Sequence, residues 1–174
     1  MTSVCLVVMG VSGAGKSTVA QLLAHHLEWP WAEADEFHPE TNIDKMTAGL
    51  PLTDADRMPW LGSLRDWITR HSADETSAIV TCSALKRTYR DVLRESPASV
   101  QFVHLAGAAE TLGPRLADRA GHFMSSSLLH SQFADLEPLQ PDEGGTTVDI
   151  GNPPDAIVRQ TFAVFGLNAC PTVR

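Results

Sequence analysis

The sequence predicts an α/β protein whose parallel sheet is covered by helices on both faces, and three observations carry that prediction. Short apolar runs alternate with amphipathic segments of about ten residues, as in repeated strand–helix–strand units. The runs are continuously apolar instead of alternating, which suits strands buried on both faces. A glycine-rich turn follows the first run and opens the first helical segment.

Taken in order, Val4–Met9 is an unbroken apolar run and is predicted as the first strand. The first helix is expected over Lys16–Leu27 and the second strand over Pro30–Ala34. A helix is predicted over Pro59–Arg70, because Trp60, Leu61, Leu64, Trp67 and Ile68 recur at helical spacing and proline suits a first turn. Ala78–Cys82 reads as the third strand. Leu85, Tyr89, Val92 and Leu93 repeat the helical spacing over Leu85–Arg94, and Pro97 stops that helix. Val100–Leu105 is the fourth strand, and Ala108–Arg119 a helix with Gly121 as a C-cap. Ser125–Ser127 reads as a joint and N-cap before a helix over Ser126–Ala134. Thr146–Ile150 is the fifth strand, Pro154–Phe165 the last helix, and residues 167–174 a frayed tail.

With 174 residues the chain makes about one domain, which is expected to bury roughly 70% of its unfolded surface. Hydrophobic residues at 43% and charged residues at 20% are globular values and exclude a disordered or collagen-like chain. The net charge of −8 disfavours a nucleic-acid partner, which needs a basic face. The first apolar run is six residues long, too short for a signal segment or a membrane span. Cys5, Cys82 and Cys170 lie far apart, and the first two sit in apolar runs as small buried thiols. A reducing, cytoplasmic setting without membrane association is expected.

Gly10-Val11-Ser12-Gly13-Ala14-Gly15-Lys16-Ser17 matches G-x-x-x-x-G-K-[ST], with Thr18 continuing into the helix. Glycines let the backbone wrap so that successive N–H groups meet phosphate oxygens, and the helix adds its positive end. The Lys16 ammonium can reach the β- and γ-phosphates, and the Ser17 hydroxyl can ligate Mg²⁺. A nucleoside triphosphate with Mg²⁺ is therefore expected.

Further residues extend the site. Glu33-Ala34-Asp35 falls where the second strand ends, and strand alternation would put both carboxylates on one side. Ligands bind beyond the carboxyl ends of such strands; a carboxylate there can take a proton from an attacking hydroxyl or hold Mg²⁺ through water. After the third strand, Lys86, Arg90 and Arg94 recur every four residues with Arg87 beside them, a cationic row in an acidic chain. An anionic acceptor held near that helix start is the expected reason. Arg115 and Arg119 are one turn apart on a segment, about 115–134, that can act as a lid over a triphosphate. His38, close after the acids, is a substrate contact; His25 and His26 are surface residues, and His71, His104 and His130 have no assigned role. No metal-ligand spacing of His or Cys occurs.

GVSGAGKST at 10–18, ADEFHPETNIDKMTAGLPLTDADRMPWL at 34–61, CSALKRTYRDVLR at 82–94 and RLADRAGHFMSSSLLHSQFADLE at 115–137 together resemble the gluconate kinases, small relatives of shikimate and adenylate kinases. The second block is far more diagnostic than the phosphate loop. The resemblance implies a three-layer P-loop kinase fold with a five-stranded parallel sheet, a lid and a homodimer. It also implies ATP-dependent phosphorylation of the 6-hydroxyl of D-gluconate to 6-phosphogluconate, feeding the pentose phosphate pathway. Asp35 would act on the acceptor hydroxyl, with Lys16 and lid Arg119 on the transferring phosphoryl. Arg57, Lys86 and Arg90 are the candidates for the sugar-acid carboxylate, with His38, Lys45, Ser83, His122 and Gln132 as polar contacts. Two other readings stay open: a small kinase for a different anionic acceptor such as shikimate, and a nucleotide-gated ATPase with no small acceptor.

Overall fold

The computed structural model describes residues 2–117 and 126–170. Its strands are β1 (Val4–Met9), β2 (Trp31–Glu33), β3 (Ala78–Thr81), β4 (Ser99–Ala106) and β5 (Gly145–Asp149). Its α-helices are α1 (Lys16–Leu27), α2 (Glu40–Thr47), α3 (Asp54–Ala73), α4 (Arg87–Arg94), α5 (Ala109–Ala117), α6 (Ser126–Asp135) and α7 (Pro154–Phe165). All strands are parallel, in the order β2–β3–β1–β4–β5. The register sets Val8 beside Thr81, and Glu33 beside Thr81 on the other side. The carboxyl ends of β2, β3 and β1 therefore share one edge, where the site lies.

Two cores follow from strand alternation. Leu6 and Val8 of β1 face Val19, Leu23, Ile157 and Val158 on α1 and α7. Cys5, Val7 and Met9 face Leu61, Leu64, Ile68 and Leu93 on α3 and α4. Each aliphatic side chain buried this fully contributes roughly 1.5–3 kcal/mol. Two helix-covered faces are the three-layer architecture that the continuous apolar strands predict.

The structure departs most from expectation in β2, α2, α3 and α4. β2 stops at Glu33, and Ala34–Phe37 turn into a 3₁₀ helix. The α2 helix was not anticipated. α3 starts at Asp54, five residues ahead of Pro59, because Thr53 and Asp56 form a capping box that secures the first turn. α4 starts at Arg87, with Lys86 in the extended cap position. After α7, the Cys170 N–H donates to the His26 carbonyl at 2.8 Å, which ties this segment to the last turn of α1.

Candidate active site

The phosphate loop leaves the carboxyl end of β1 and closes onto α1. Gly10 has φ +144°, and a Cβ there would lie 2.7 Å from the Leu105 carbonyl oxygen, so only glycine fits. Gly15 caps α1 in the left-handed region at φ +91°. The Lys16 ammonium donates to the Gly10 and Val11 carbonyls, each at 3.1 Å, which lays the cation along the loop. Beside it opens a cavity of about 430 Å³ lined by Gly13, Gly15, Thr18, Arg115, Ile150 and Asn152. The Arg115 guanidinium donates to the Ile150 carbonyl at 3.3 Å, so α5 and the turn after β5 wall that cavity together. Arg115 had a sequence signal; Ile150 and Asn152 had none, since a wall made by a turn after the last strand carries no motif.

Across the sheet edge, Asp35 stands on the 3₁₀ turn with its side chain 93% exposed. The turn breaks strand alternation, so Glu33 and Asp35 are not the paired carboxylates that the spacing predicts. Glu33 instead accepts a hydrogen bond from the Thr81 hydroxyl on β3. The Cys82 thiol, which burial pushes up to about 12, lies within the fields of both Lys16 on the phosphate loop and Asp35 on the turn after β2. Ser83 is next in the chain, and its carbonyl accepts the Gly10 N–H at 3.3 Å.

His38 follows the turn and stacks on Trp60, with ring centroids 4.2 Å apart. Its Nε2 is 4.0 Å from the Asp35 carboxylate. Buried Asn42 donates to the Asp56 carbonyl at 2.9 Å, and its Nδ2 lies 3.3 Å from His38 Nδ1. The Asp56 carbonyl can only accept, so the Asn42 nitrogen faces it, and His38 Nδ1 is the acceptor of the second hydrogen. The imidazole thus carries its own hydrogen on Nε2, toward Asp35. Burial lowers the His38 pKa, Asp35 opposes that and Arg57 adds to it.

The cationic residues divide into two groups. Arg57 donates to the Tyr89 hydroxyl at 3.0 Å and lies 3.7 Å from the Asp54 carboxylate. Lys86 donates to the same carboxylate at 3.2 Å. The Tyr89 hydroxyl first, and then Lys86, hold the Asp54 carboxyl below its usual range. Arg57, Lys86, Tyr89 and Asp54 therefore form one partly exposed polar cluster.

Arg90 is not part of it. Its side chain is wholly buried on Glu143, with all five guanidinium N–H groups directed at Glu143 or at the carbonyls of Ala84, Leu85 and Pro138. This corrects the expectation that Arg90 meets a substrate carboxylate: no donor is left for one, and helical spacing cannot reveal that the row turns inward. Arg87 pairs with Asp142, and Arg94 with Asp91.

Lys45 binds Asp56 at 2.7 Å, a bond that with the Thr53 backbone and hydroxyl holds the Asp56 carboxyl down to about 2. Lys45 is thus committed to the α3 cap. Gln132 faces the phosphate loop, where its Oε1 accepts the Ser12 N–H at 2.8 Å. Arg119 and His122 lie outside the described residues.

Fold and site together define a P-loop kinase of the small-molecule class. The shikimate kinase family model matches residues 12–132. The gluconokinase of Gluconobacter oxydans is 46% identical, over 92% of this chain and 90% of its own length. The thermoresistant gluconokinase of Escherichia coli is 41% identical, over 91% of each. Among solved structures, a sugar kinase from Janibacter superposes with a TM-score of 0.89 at 50% identity, over 94% of this chain and 95% of that one. A gluconokinase from Sinorhizobium meliloti gives 0.82 at 44% identity, over 93% and 91%. The chain belongs to the gluconokinase family, within the shikimate kinase-like group.

Proposed function

We propose that this protein transfers the γ-phosphoryl group of ATP to the 6-hydroxyl of D-gluconate, giving 6-phospho-D-gluconate and ADP. The observation that supports this most is the pocket of Arg57 and Lys86, set at the same sheet edge as the Lys16 loop in a chain of net charge −8. A phosphoryl transfer needs positioning and charge neutralisation more than covalent help from the protein. The loop N–H groups and Lys16 hold the phosphates, and the nucleoside extends into the cavity beside Arg115. Arg57 and Lys86 take the sugar-acid carboxylate, and His38 and Ser83 flank the sugar. Asp35, exposed at the strand end, accepts the proton of the 6-hydroxyl as its oxygen bonds to phosphorus and the bond to ADP breaks.

No cluster of three or more metal-ligating side chains occurs among the described residues. The Ser17 hydroxyl, at the start of α1 beside Lys16, would be the chain's ligand for Mg²⁺, an ion that keeps several waters and is otherwise held by substrate phosphates. When bound, the ion neutralises charge on the β- and γ-phosphates. Among the described residues no helix is long and apolar enough to cross a membrane. We infer a cytoplasmic homodimer, for which light scattering reads the assembly. The function itself is tested by a coupled ADP assay with ATP and a panel of sugar acids. Turnover with gluconate far above that with shikimate, and little ATP consumption without an acceptor, is the expected result. Equal ATP turnover with and without acceptors would point to an ATPase instead.

A further inference from the structure

Residues 132–137 are bonded to both halves of the site. At one end, both polar atoms of the Gln132 amide engage Ser12: Oε1 accepts the Ser12 N–H at 2.8 Å, and Nε2 donates to the Ser12 hydroxyl at 3.3 Å. That N–H belongs to the loop whose backbone donors meet phosphate, so Gln132 helps to set the loop's shape. At the other end, the Glu137 N–H donates to the Leu85 carbonyl at 2.8 Å, and the Glu137 carboxylate accepts the Arg87 N–H at 2.7 Å. Leu85 and Arg87 bracket Lys86, whose ammonium faces the acceptor pocket.

The piece between the two ties is stiff. The Leu136 N–H donates to the Gln132 carbonyl at 3.0 Å, so helical geometry continues past Asp135. Leu136 packs against both hydrophobic clusters, one on each face of the sheet. Five residues of helix span only about 7 Å. A displacement at Ser12 therefore reaches the start of α4 with little slack.

We propose that residues 132–137 couple the two substrate sites, with Gln132 as a positioning residue that links the shape of the phosphate loop to the placement of Lys86. The inference rests on the gluconate kinase reading above. A phosphate entering the loop draws on the backbone donors that Gln132 orients. A carboxylate on Lys86 pulls on the turn that Glu137 holds. Each ligand then favours the arrangement the other needs, and by linkage the enhancement is reciprocal.

The test is isothermal titration of the full-length protein with gluconate, with and without the imido analogue of ATP and Mg²⁺. Wild type is expected to bind gluconate about tenfold more tightly with the analogue, within the usual range of coupling. Gln132→Met keeps the side-chain length and removes both amide bonds. Glu137→Ala, at an exposed position, removes the carboxylate bond to the Arg87 N–H while the backbone bond to Leu85 remains, and it carries the test if Gln132→Met does not fold. Both are expected to shrink the enhancement below about twofold, and Glu137→Ala, a residue outside the binding machinery, is expected to shift the affinity of each ligand alone by less than about threefold. A simply structural role would lower stability or single-ligand affinity and leave the enhancement in place. Retention of the wild-type enhancement in both variants, or its absence in wild type, overturns the link. No gluconate binding under either condition removes the functional reading and the link with it.

Discussion

The Arg90 guanidinium and the Glu143 carboxylate meet in a two-point ion pair with neither side chain exposed, Nε to Oε1 at 2.6 Å and Nη2 to Oε2 at 3.0 Å. Burying two charges is costly unless every donor finds an acceptor. Here the remaining donors reach the carbonyls of Ala84, Leu85 and Pro138. Burial pushes the Glu143 carboxyl up, but the Arg90 hydrogen bonds, the Gln140 N–H and the Arg90 charge outweigh it and leave it lowered. The pair fastens the turn that presents Lys86 to the chain ahead of β5.

Arg90→Gln is therefore expected to lose stability, not substrate. It leaves a buried carboxylate without its partner, a loss of about 3–5 kcal/mol. Urea unfolding followed by circular dichroism reads this. The folded fraction keeps a wild-type KM for gluconate. Unchanged stability with a raised KM would return Arg90 to the acceptor pocket.

Lys16→Ala is expected to keep the fold and lose turnover. The ammonium lies along the loop on the Gly10 and Val11 carbonyls, and the proposed function sets it against phosphate charge. Removing one electrostatic contact to a transition state costs about a hundredfold or more in kcat. Near-wild-type activity with an unchanged circular dichroism spectrum would remove the loop from the chemistry.

Asp35→Asn is expected to lower kcat by about two to four orders of magnitude, the usual range for a general base. KM for ATP stays close to wild type, because Asp35 is on the acceptor side. The amide keeps the shape and one hydrogen-bonding oxygen but cannot take the hydroxyl proton. A variant with normal kcat would exclude Asp35 as the base; Glu33, bonded to Thr81, would be the next carboxylate to test.

Most of the scaffold was legible because burial writes it into the sequence. β1, β3, β4, α1 and α7 bury apolar residues at strand or helical spacing, and the phosphate loop has a fixed motif. The α2 helix was illegible for the same reason in reverse. Its apolar residues Ile43 and Met46 are exposed, and its buried residue is Asn42. Polar bonds from Asn42 and Lys45 to Asp56 attach it instead, and no periodicity marks those. The early start of α3 did have a signal, Thr53 three residues before Asp56, which Pro59 obscured. In the site, a charge row such as Lys86, Arg90 and Arg94 reveals spacing but not which member meets a buried acid from a distant loop.

The Lys45–Asp56 bond predicts an acid-range stability effect. Lys45 first, then the Thr53 backbone and hydroxyl, hold the Asp56 carboxyl down to about 2. A carboxyl lowered in the folded state stabilises above its unfolded pKa, near 4, and that contribution is lost as pH falls through about 2. Lys45→Met removes the main cause. Urea midpoints measured from pH 6 to pH 2 should show wild type above Lys45→Met at the upper end, with the gap closing toward pH 2. A gap that stays constant across that range would mean Lys45 acts through packing alone.

Arg57 carries the sharpest claim about acceptor choice. It sits on α3 with Tyr89 and Asp54 as neighbours and is only partly exposed. Its charge also acts on His38, at the edge where we propose that the acceptor binds. The cavity that the proposed function gives to the nucleotide is lined instead by the phosphate loop, Arg115 and the turn after β5. Arg57→Gln should therefore raise KM for gluconate and leave KM for ATP nearly unchanged. A charge-assisted hydrogen bond to a carboxylate contributes about 1.5–3 kcal/mol, or roughly 10- to 150-fold in affinity. Glucose offers the same 6-hydroxyl without a carboxylate, so wild type should use it far less well. Arg57→Gln should narrow that preference, because the lost charge matters only to the acid. Equal use of glucose and gluconate by wild type would sink the cationic pocket. A preference that survives Arg57→Gln unchanged would leave Lys86 to hold the carboxylate.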